Sequence, residues 1–264
     1  MIFLAGLPGT GKSFFVHRLA QLAHDGGRPV HLLQWDVARP VFEATSDGKR
    51  YPMKEGITHP VIRKAAGTWA RWALAQWDQR HSEPIHILIG ETPLVGHRFI
   101  ELARPAHDAA ERLLAAPACL FFVPVPSVEV RRSLEAERGR RTARPITSRE
   151  REDAAPSVLH EMWDELAAVA ERLDPLPAGG VPPAFYNPVV YERVYRHVLA
   201  HRRTKVIRVK GLSPDAPSSA YLFGFAVEDV VPAPEEAAEF IRRIEASYPD
   251  LTELQREVRR WYVV

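Results

Sequence analysis

Apolar residues fall into two kinds of run along the chain. Residues 2–5, 29–34, 84–89, 119–125 and 204–209 are short and nearly continuously apolar, the pattern of strands covered on both faces. Between them the apolar positions recur every three or four residues. The clearest case is 60–79, where Ile62, Ala66, Trp69, Ala73 and Trp77 share one helical face. Helices are also expected at 12–23, 97–114, 157–173 and 189–200, and from Ser127 onward with Val130 and Leu134 on one side. Gly26-Gly27 ends the first of these, and Ser157 with Glu161 reads as a capping pair. Strand and helix alternate to about residue 210. That order predicts a three-layer α/β/α fold around a five-stranded, mainly parallel sheet. The turn-rich stretch 211–219 then sets off a mostly helical C-terminal appendage, 211–264, with a strand expected at 221–227 and helices at 234–247 and 251–261.

The first strand runs directly into Gly6-Leu7-Pro8-Gly9-Thr10-Gly11-Lys12-Ser13, which fits G-x-x-x-x-G-K-[ST] in full. Gly6, Gly9 and Gly11 let the backbone curl so that N–H groups, Thr10 included, point at phosphate oxygens. The helix opening at Lys12 adds its positive end. Lys12 is expected at the tip of a solvent-facing loop, reaching the β- and γ-phosphates of ATP, with the Ser13 hydroxyl on Mg²⁺. An ordinary glycine turn ahead of a helix is the alternative, and the match to every motif position argues against it.

On this motif the chain resembles the P-loop NTPases, and in its order of parts through residue 210 the small P-loop kinases. The Asn-Lys-x-Asp motif that reads guanine is missing, because the only asparagine, Asn187, precedes Pro188. The stretch Leu32-Leu33-Gln34-Trp35-Asp36 resembles kinases related to chloramphenicol phosphotransferase and the zeta toxins. In that resemblance Asp36, at the end of the second strand, is the base facing the acceptor hydroxyl; it can also be read as the cap of a turn. Glu91, after the third strand, is a candidate for the metal's water shell or an exposed loop acid. Eight arginines fall within 131–151 and resemble a kinase lid (131–153), with Arg138 and Arg141 the first choices for contact with the transferring phosphoryl group. The interleaved glutamates also suit a solvated helix face. Trp35 could stack on an acceptor ring, and the tyrosines of 186–195 could do so too, although packing on the sheet explains the latter more simply.

Composition narrows the function. Lys+Arg is 35 and Asp+Glu is 33, a balance unlike a nucleic-acid coat or a membrane-surface binder. The single cysteine, Cys119, cannot form an internal disulfide, and the N-terminus lacks a basic leader, so a cytoplasmic enzyme is expected. His197 and His201 stand four apart at a helix end, but without the Glu of H-E-x-x-H they suit a surface better than zinc. The expectation is an ATP- and Mg²⁺-dependent phosphotransferase acting on an unidentified hydroxyl-bearing small molecule. The resemblance extends to phosphoseryl-tRNA kinases, which keeps an RNA or aminoacyl-tRNA acceptor as an alternative that the charge balance disfavours. A slowly hydrolysing regulatory protein is the third reading. The sequence leaves the oligomeric state open.

Overall fold

The computed structural model describes residues 1–143, 156–174, 183–211 and 222–264, with side chains for all of these but 141–143, 156 and 157. It is an α/β fold around one parallel sheet of six strands: β1 (Ile2–Ala5), β2 (Val30–Gln34), β3 (Ile87–Thr92), β4 (Leu120–Pro126), β5 (Thr204–Val209) and β6 (Glu228–Asp229). Their order across the sheet is β5-β4-β1-β3-β2-β6. The sheet has six strands where the sequence predicted five. The sixth lies not at 221–227 but at Glu228–Asp229, paired parallel with His31 and Leu32.

Strand alternation assigns each face. Register places Ile2 beside Ile89 and Leu4 beside Glu91, and places Val30, Leu32 and Gln34 beside Ile87, Ile89 and Glu91. These residues share one face, because side chains alternate with period two. The helix α1 (Lys12–Asp25) packs its Val16, Ala20 and Ala23 on the apolar members of that row. The opposite parity carries Phe3, Ala5, Leu33 and Leu88 into a larger core with α2 (Trp35–Ala44) and α3 (Pro60–Arg80). Trp69 and Trp77 are core residues, as their spacing predicted.

The helix α2 was not foreseen. Trp35, Ala38 and Phe42 do carry helical spacing and are buried, but Pro40 lies inside the helix and disguises it. The third strand runs from Ile87 rather than from 84. Arg28 takes the carbonyls of Pro84 and Ile85 at 2.5 and 2.9 Å, which leaves those residues outside the ladder. The helix expected at 97–114 is reduced to a 3₁₀ turn at Ile100–Leu102 and α4 (Ala109–Leu114). Two buried arginines explain the interruption. Arg71 donates to the carbonyls of Glu101 and Arg104 at 2.7 and 2.9 Å, and Arg202 to those of Leu102 and Arg104 at 2.7 and 2.6 Å. Carbonyls held this way are not left to helix N–H groups, and Pro105 adds a missing donor.

Val128–Ala143 forms α5, with Ser127 Oγ accepting from the Val130 N–H at 3.3 Å. The helix α6 (Pro156–Leu173) contains Ser157, which is therefore not its cap. Asn187 caps α7 (Pro188–Val198), accepting from Val189 and Val190. Tyr191 and Tyr195 on α7 are fully buried in the main core, as packing required. The last helices, α8 (Pro234–Ser247) and α9 (Leu251–Arg259), set Phe240, Ile241, Ile244, Leu254 and Val258 into that same core. Residues 222–264 therefore add a strand to the sheet and two helices to its core. Among the described residues, no helix is long and apolar enough to cross a membrane. Cys119 is buried, and burial raises its thiol pKa to about 11.

Arg202 ties β5 to this framework through Glu111, at 2.7 and 3.0 Å, and Arg71 reaches Glu111 at 2.9 Å. Burial alone would raise the Glu111 carboxyl, but Arg202 and Arg71 outweigh it and hold the group at about 2. Arg202→Ala should cost about 1–3 kcal/mol, the range for leaving buried hydrogen-bonding groups unmet, because the Leu102 and Arg104 carbonyls lose its donors while Glu111 keeps Arg71, measured by urea unfolding at neutral pH. The Glu111 contribution is present above the ordinary carboxylate range and is lost as pH falls toward 2. The acid limb of the stability profile should therefore flatten in Arg202→Ala.

Candidate active site

The loop between β1 and α1 has left-handed backbone at Gly9 (φ 75°) and Gly11 (φ 87°), a conformation that a side chain would strain. Gly11 is the N-cap of α1, so the positive end of that helix faces the loop. Thr10 is buried and its hydroxyl donates to the Leu7 carbonyl at 2.8 Å, closing the curl from inside.

Lys12 is not exposed at a loop tip. It is 4% accessible, because its ammonium turns into the loop and finds two acceptors there. It donates to the Leu7 carbonyl at 3.1 Å and pairs with Glu91 Oε1 at 3.3 Å. Burial pushes the ammonium below its ordinary range; Glu91 and Asp36 oppose that, and Arg138 adds to it. Ser13 Oγ lies 3.5 Å from both carboxylate oxygens of Glu91, and Gln34 Nε2 donates to Glu91 Oε2 at 3.3 Å. Glu91 is thus no loose loop acid. It belongs to β3, and its parity aims it at the first turn of α1.

Asp36 is exposed and lies in the first turn of α2, immediately after β2, where the helix dipole favours a carboxylate. It is close enough to act electrostatically on both Lys12 and Arg98. Gly6–Ser13, Glu91 and Asp36 thus gather at the carboxyl ends of β1, β3 and β2, where open parallel sheets bind ligands.

The arginines of 131–151 divide. Arg138, half-buried on α5, bears electrostatically on Lys12. The Arg141 side chain and the residues from 144 to 153 lie outside the described residues. Arg140 pairs with Glu137 at the surface. The arginine that touches the loop is Arg131, which is 3% accessible, donates to the Pro8 carbonyl at 2.5 Å and pairs with Glu135 at 2.6 Å. Its position near the start of the helix after β4 was the available signal, hidden by the density of arginines that follow. Trp35 is buried edge-to-face on Phe99 and is a core residue, not an acceptor platform. His197 bonds the Tyr262 carbonyl at 3.0 Å, and His201 is exposed.

Three further residues gather beside the crevice. Arg98, Arg63 and Glu165 converge around Gly96, in a segment where Leu94, His97 and Phe99 all have positive φ. Arg63 and Arg98 are both buried, and no carboxylate of the described residues lies within 4.0 Å of either guanidinium. Burial, then Arg98, lowers the Arg63 pKa to about 10. Arg63 also lines a cavity of about 520 Å³ between residues 52–60, α6 and α9, together with Lys54, His59, Glu161 and Glu165. Nothing in the spacing of Arg63 and Arg98 announced this pairing. No family model and no curated protein sequence matches the chain.

The loop has little slack. A Cβ on Gly6 would stand 2.4 Å from the Tyr191 hydroxyl oxygen and 2.8 Å from Thr10 Oγ1. Tyr191 is wholly buried and cannot swing aside. Gly6→Ala should destabilise the fold by about 1–3 kcal/mol, the cost of overpacking, as read from chemical denaturation.

Proposed function

We propose that the chain is an ATP- and Mg²⁺-dependent phosphotransferase that moves the γ-phosphoryl group of ATP to a hydroxyl of a small molecule. The reading rests on the convergence of Lys12, Ser13 and Glu91 at the mouth of a glycine loop, with Asp36 across the crevice. Loop N–H groups and the α1 N-terminus suit a polyphosphate. Lys12 is the cation for its terminal phosphates. Ser13 and Glu91 would hold Mg²⁺, which supplies charge neutralisation on the phosphates. Asp36 orients the acceptor hydroxyl and takes its proton as the oxygen bonds to the γ-phosphorus and the bond to the β-phosphate oxygen breaks, releasing ADP. Arg138 adds positive charge from the lid side. Arg131 fixes the loop through the Pro8 carbonyl and is a positioning residue.

ATP is favoured over GTP because Asn187 is engaged in capping α7 and no guanine-reading motif exists. The near balance of 35 basic and 33 acidic residues supports a small acceptor over RNA.

Lys12→Ala should lower phosphoryl transfer by at least about 10²-fold, as removal of a preorganised charge does, with an unfolding midpoint near that of the wild type. Glu91 keeps Ser13 and Gln34 as partners in that variant, so the fold is not left with an isolated buried carboxylate. Undiminished turnover of labelled ATP in folded Lys12→Ala would remove the kinase reading.

Asp36→Asn keeps size and removes the proton acceptor. With an acceptor found by screening hydroxyl compounds, kcat should fall by about 10²–10⁴-fold, the usual share of general-base participation. Nucleotide affinity by calorimetry should not change. A large loss of affinity instead would assign Asp36 to the metal shell, and no change in either quantity would make it a helix-end acid.

A further inference from the structure

The opposite end of the strands carries a second group of ligating side chains. His31 is the second residue of β2, His86 immediately precedes β3, and His81 is the C-cap of α3. Because β2 and β3 are parallel, these histidines stand at the amino ends of the strands, whereas the phosphate loop leaves the carboxyl end of β1. At about 3.3 Å per residue, His31 lies about 10 Å along β2 from Gln34, which bonds Glu91 at the crevice.

The three rings are in mutual contact. Centroids are 4.3 Å apart for His31 and His81, 4.5 Å for His81 and His86, and 5.2 Å for His31 and His86. One ligating nitrogen from each lies within 4.8 Å of the other two. His31 Nε2 faces His86 Nδ1 at 3.0 Å. Nitrogens bound to one tetrahedral Zn²⁺ at about 2.0–2.1 Å sit about 3.3–3.4 Å apart, so an ion would replace the 3.0 Å His31–His86 hydrogen bond, opening that pair slightly and drawing His81 in.

A second observation points the same way. His31 is 2% accessible, and its Nδ1 is buried without a hydrogen-bond partner. Glu228 Oε2 lies 3.2 Å from that Nδ1, near but off hydrogen-bond alignment. Glu228 is exposed on edge strand β6, and register pairs it with His31. An imidazole that ligates through Nε2 while Nδ1–H addresses a carboxylate is the usual outer arrangement around a metal-bound histidine. Three nitrogens and no carboxylate among the inner ligands suit Zn²⁺ and its imidazole-binding neighbours, not Mg²⁺ or Ca²⁺.

We propose that His31, His81 and His86 form a Zn²⁺-class metal site, with Glu228 as the outer partner of His31 and a water in the fourth position. The site is independent of the phosphate loop. It joins the end of α3, the starts of β2 and β3 and, through Glu228, the two-residue strand β6, so a bound ion would tie these elements together.

The test uses the full chain stripped with a chelator and titrated with Zn²⁺ alone by calorimetry. One equivalent should bind and raise the thermal midpoint. Glu228→Gln should weaken binding by about 10–100-fold, as loss of an outer partner does, and His81→Ala or His86→Ala by at least as much. His81 and His86 are half-buried, so these variants should keep a wild-type circular dichroism spectrum. A second measurement needs no variant: Zn²⁺ should protect His81 and His86 of the wild type from diethyl pyrocarbonate, mapped by mass spectrometry. The proposal falls if wild type binds Zn²⁺ no more tightly than the His81→Ala/His86→Ala double variant. It falls equally if protection maps to His197 and His201 and leaves His81 and His86 reactive.

Discussion

Leu4, Gln34 and Glu91 stand side by side on three neighbouring parallel strands, and that register governs everything charged at the crevice. Their face is the one α1 covers. Along β3 that face reads Ile87, Ile89 and then Glu91, so the carboxylate emerges where α1 begins and meets Lys12 and Ser13. A slip of one residue in β3 would turn Glu91 into the main core and leave Lys12 buried without its carboxylate. The cost of burying that lysine is met only in the correct register, which links the packing of α1 to the chemistry of the loop.

A second theme is the use of buried arginines as backbone organisers. Arg71 and Arg202 hold the carbonyls of Glu101, Leu102 and Arg104, and Arg63 holds those of Thr58 and Gly96. The guanidinium suits this work because its donors are fixed in one plane and it keeps its charge when buried. The chain between β3 and α4 is therefore shaped by side chains from distant elements. Positive φ at Leu94, His97 and Phe99 follows from that imposed path, at a cost of about 1–2 kcal/mol for each left-handed residue. Such strain beside the crevice fixes Arg98 close to Arg63 without relying on local propensity.

The C-terminal region connects the two faces of the sheet. Phe223 and Phe225 stack on His17 and His24 of α1, and the chain then pairs Glu228 and Asp229 with β2. From there α8 and α9 return across α3, and Glu257 of α9 pairs with Lys64 and Arg104. A segment that the sequence marked off by its turn residues is in this way woven into the sheet and its core.

Local chemistry made much of this legible in the sequence. The apolar runs announced five of the six strands, since a strand covered on both faces needs continuous apolar residues. The glycine loop announced itself because left-handed backbone at Gly9 and Gly11 demands that residue type at those positions. Asp36 and Glu91 were identifiable by their nearness to strand ends. What the sequence could not carry were relations between distant elements. The pairing of Glu91 with Lys12 follows from register, and the loss of the expected helix at 97–114 from arginines on α3 and at the start of β5. Arg131 reached the loop only because β4 lies next to β1. The approach of Arg63 to Arg98, and of His31 to His81, His86 and Glu228, arises where separate strands and helix ends meet. These contacts are long-range, and no local spacing encodes them, because they exist only once the sheet has set which ends lie together.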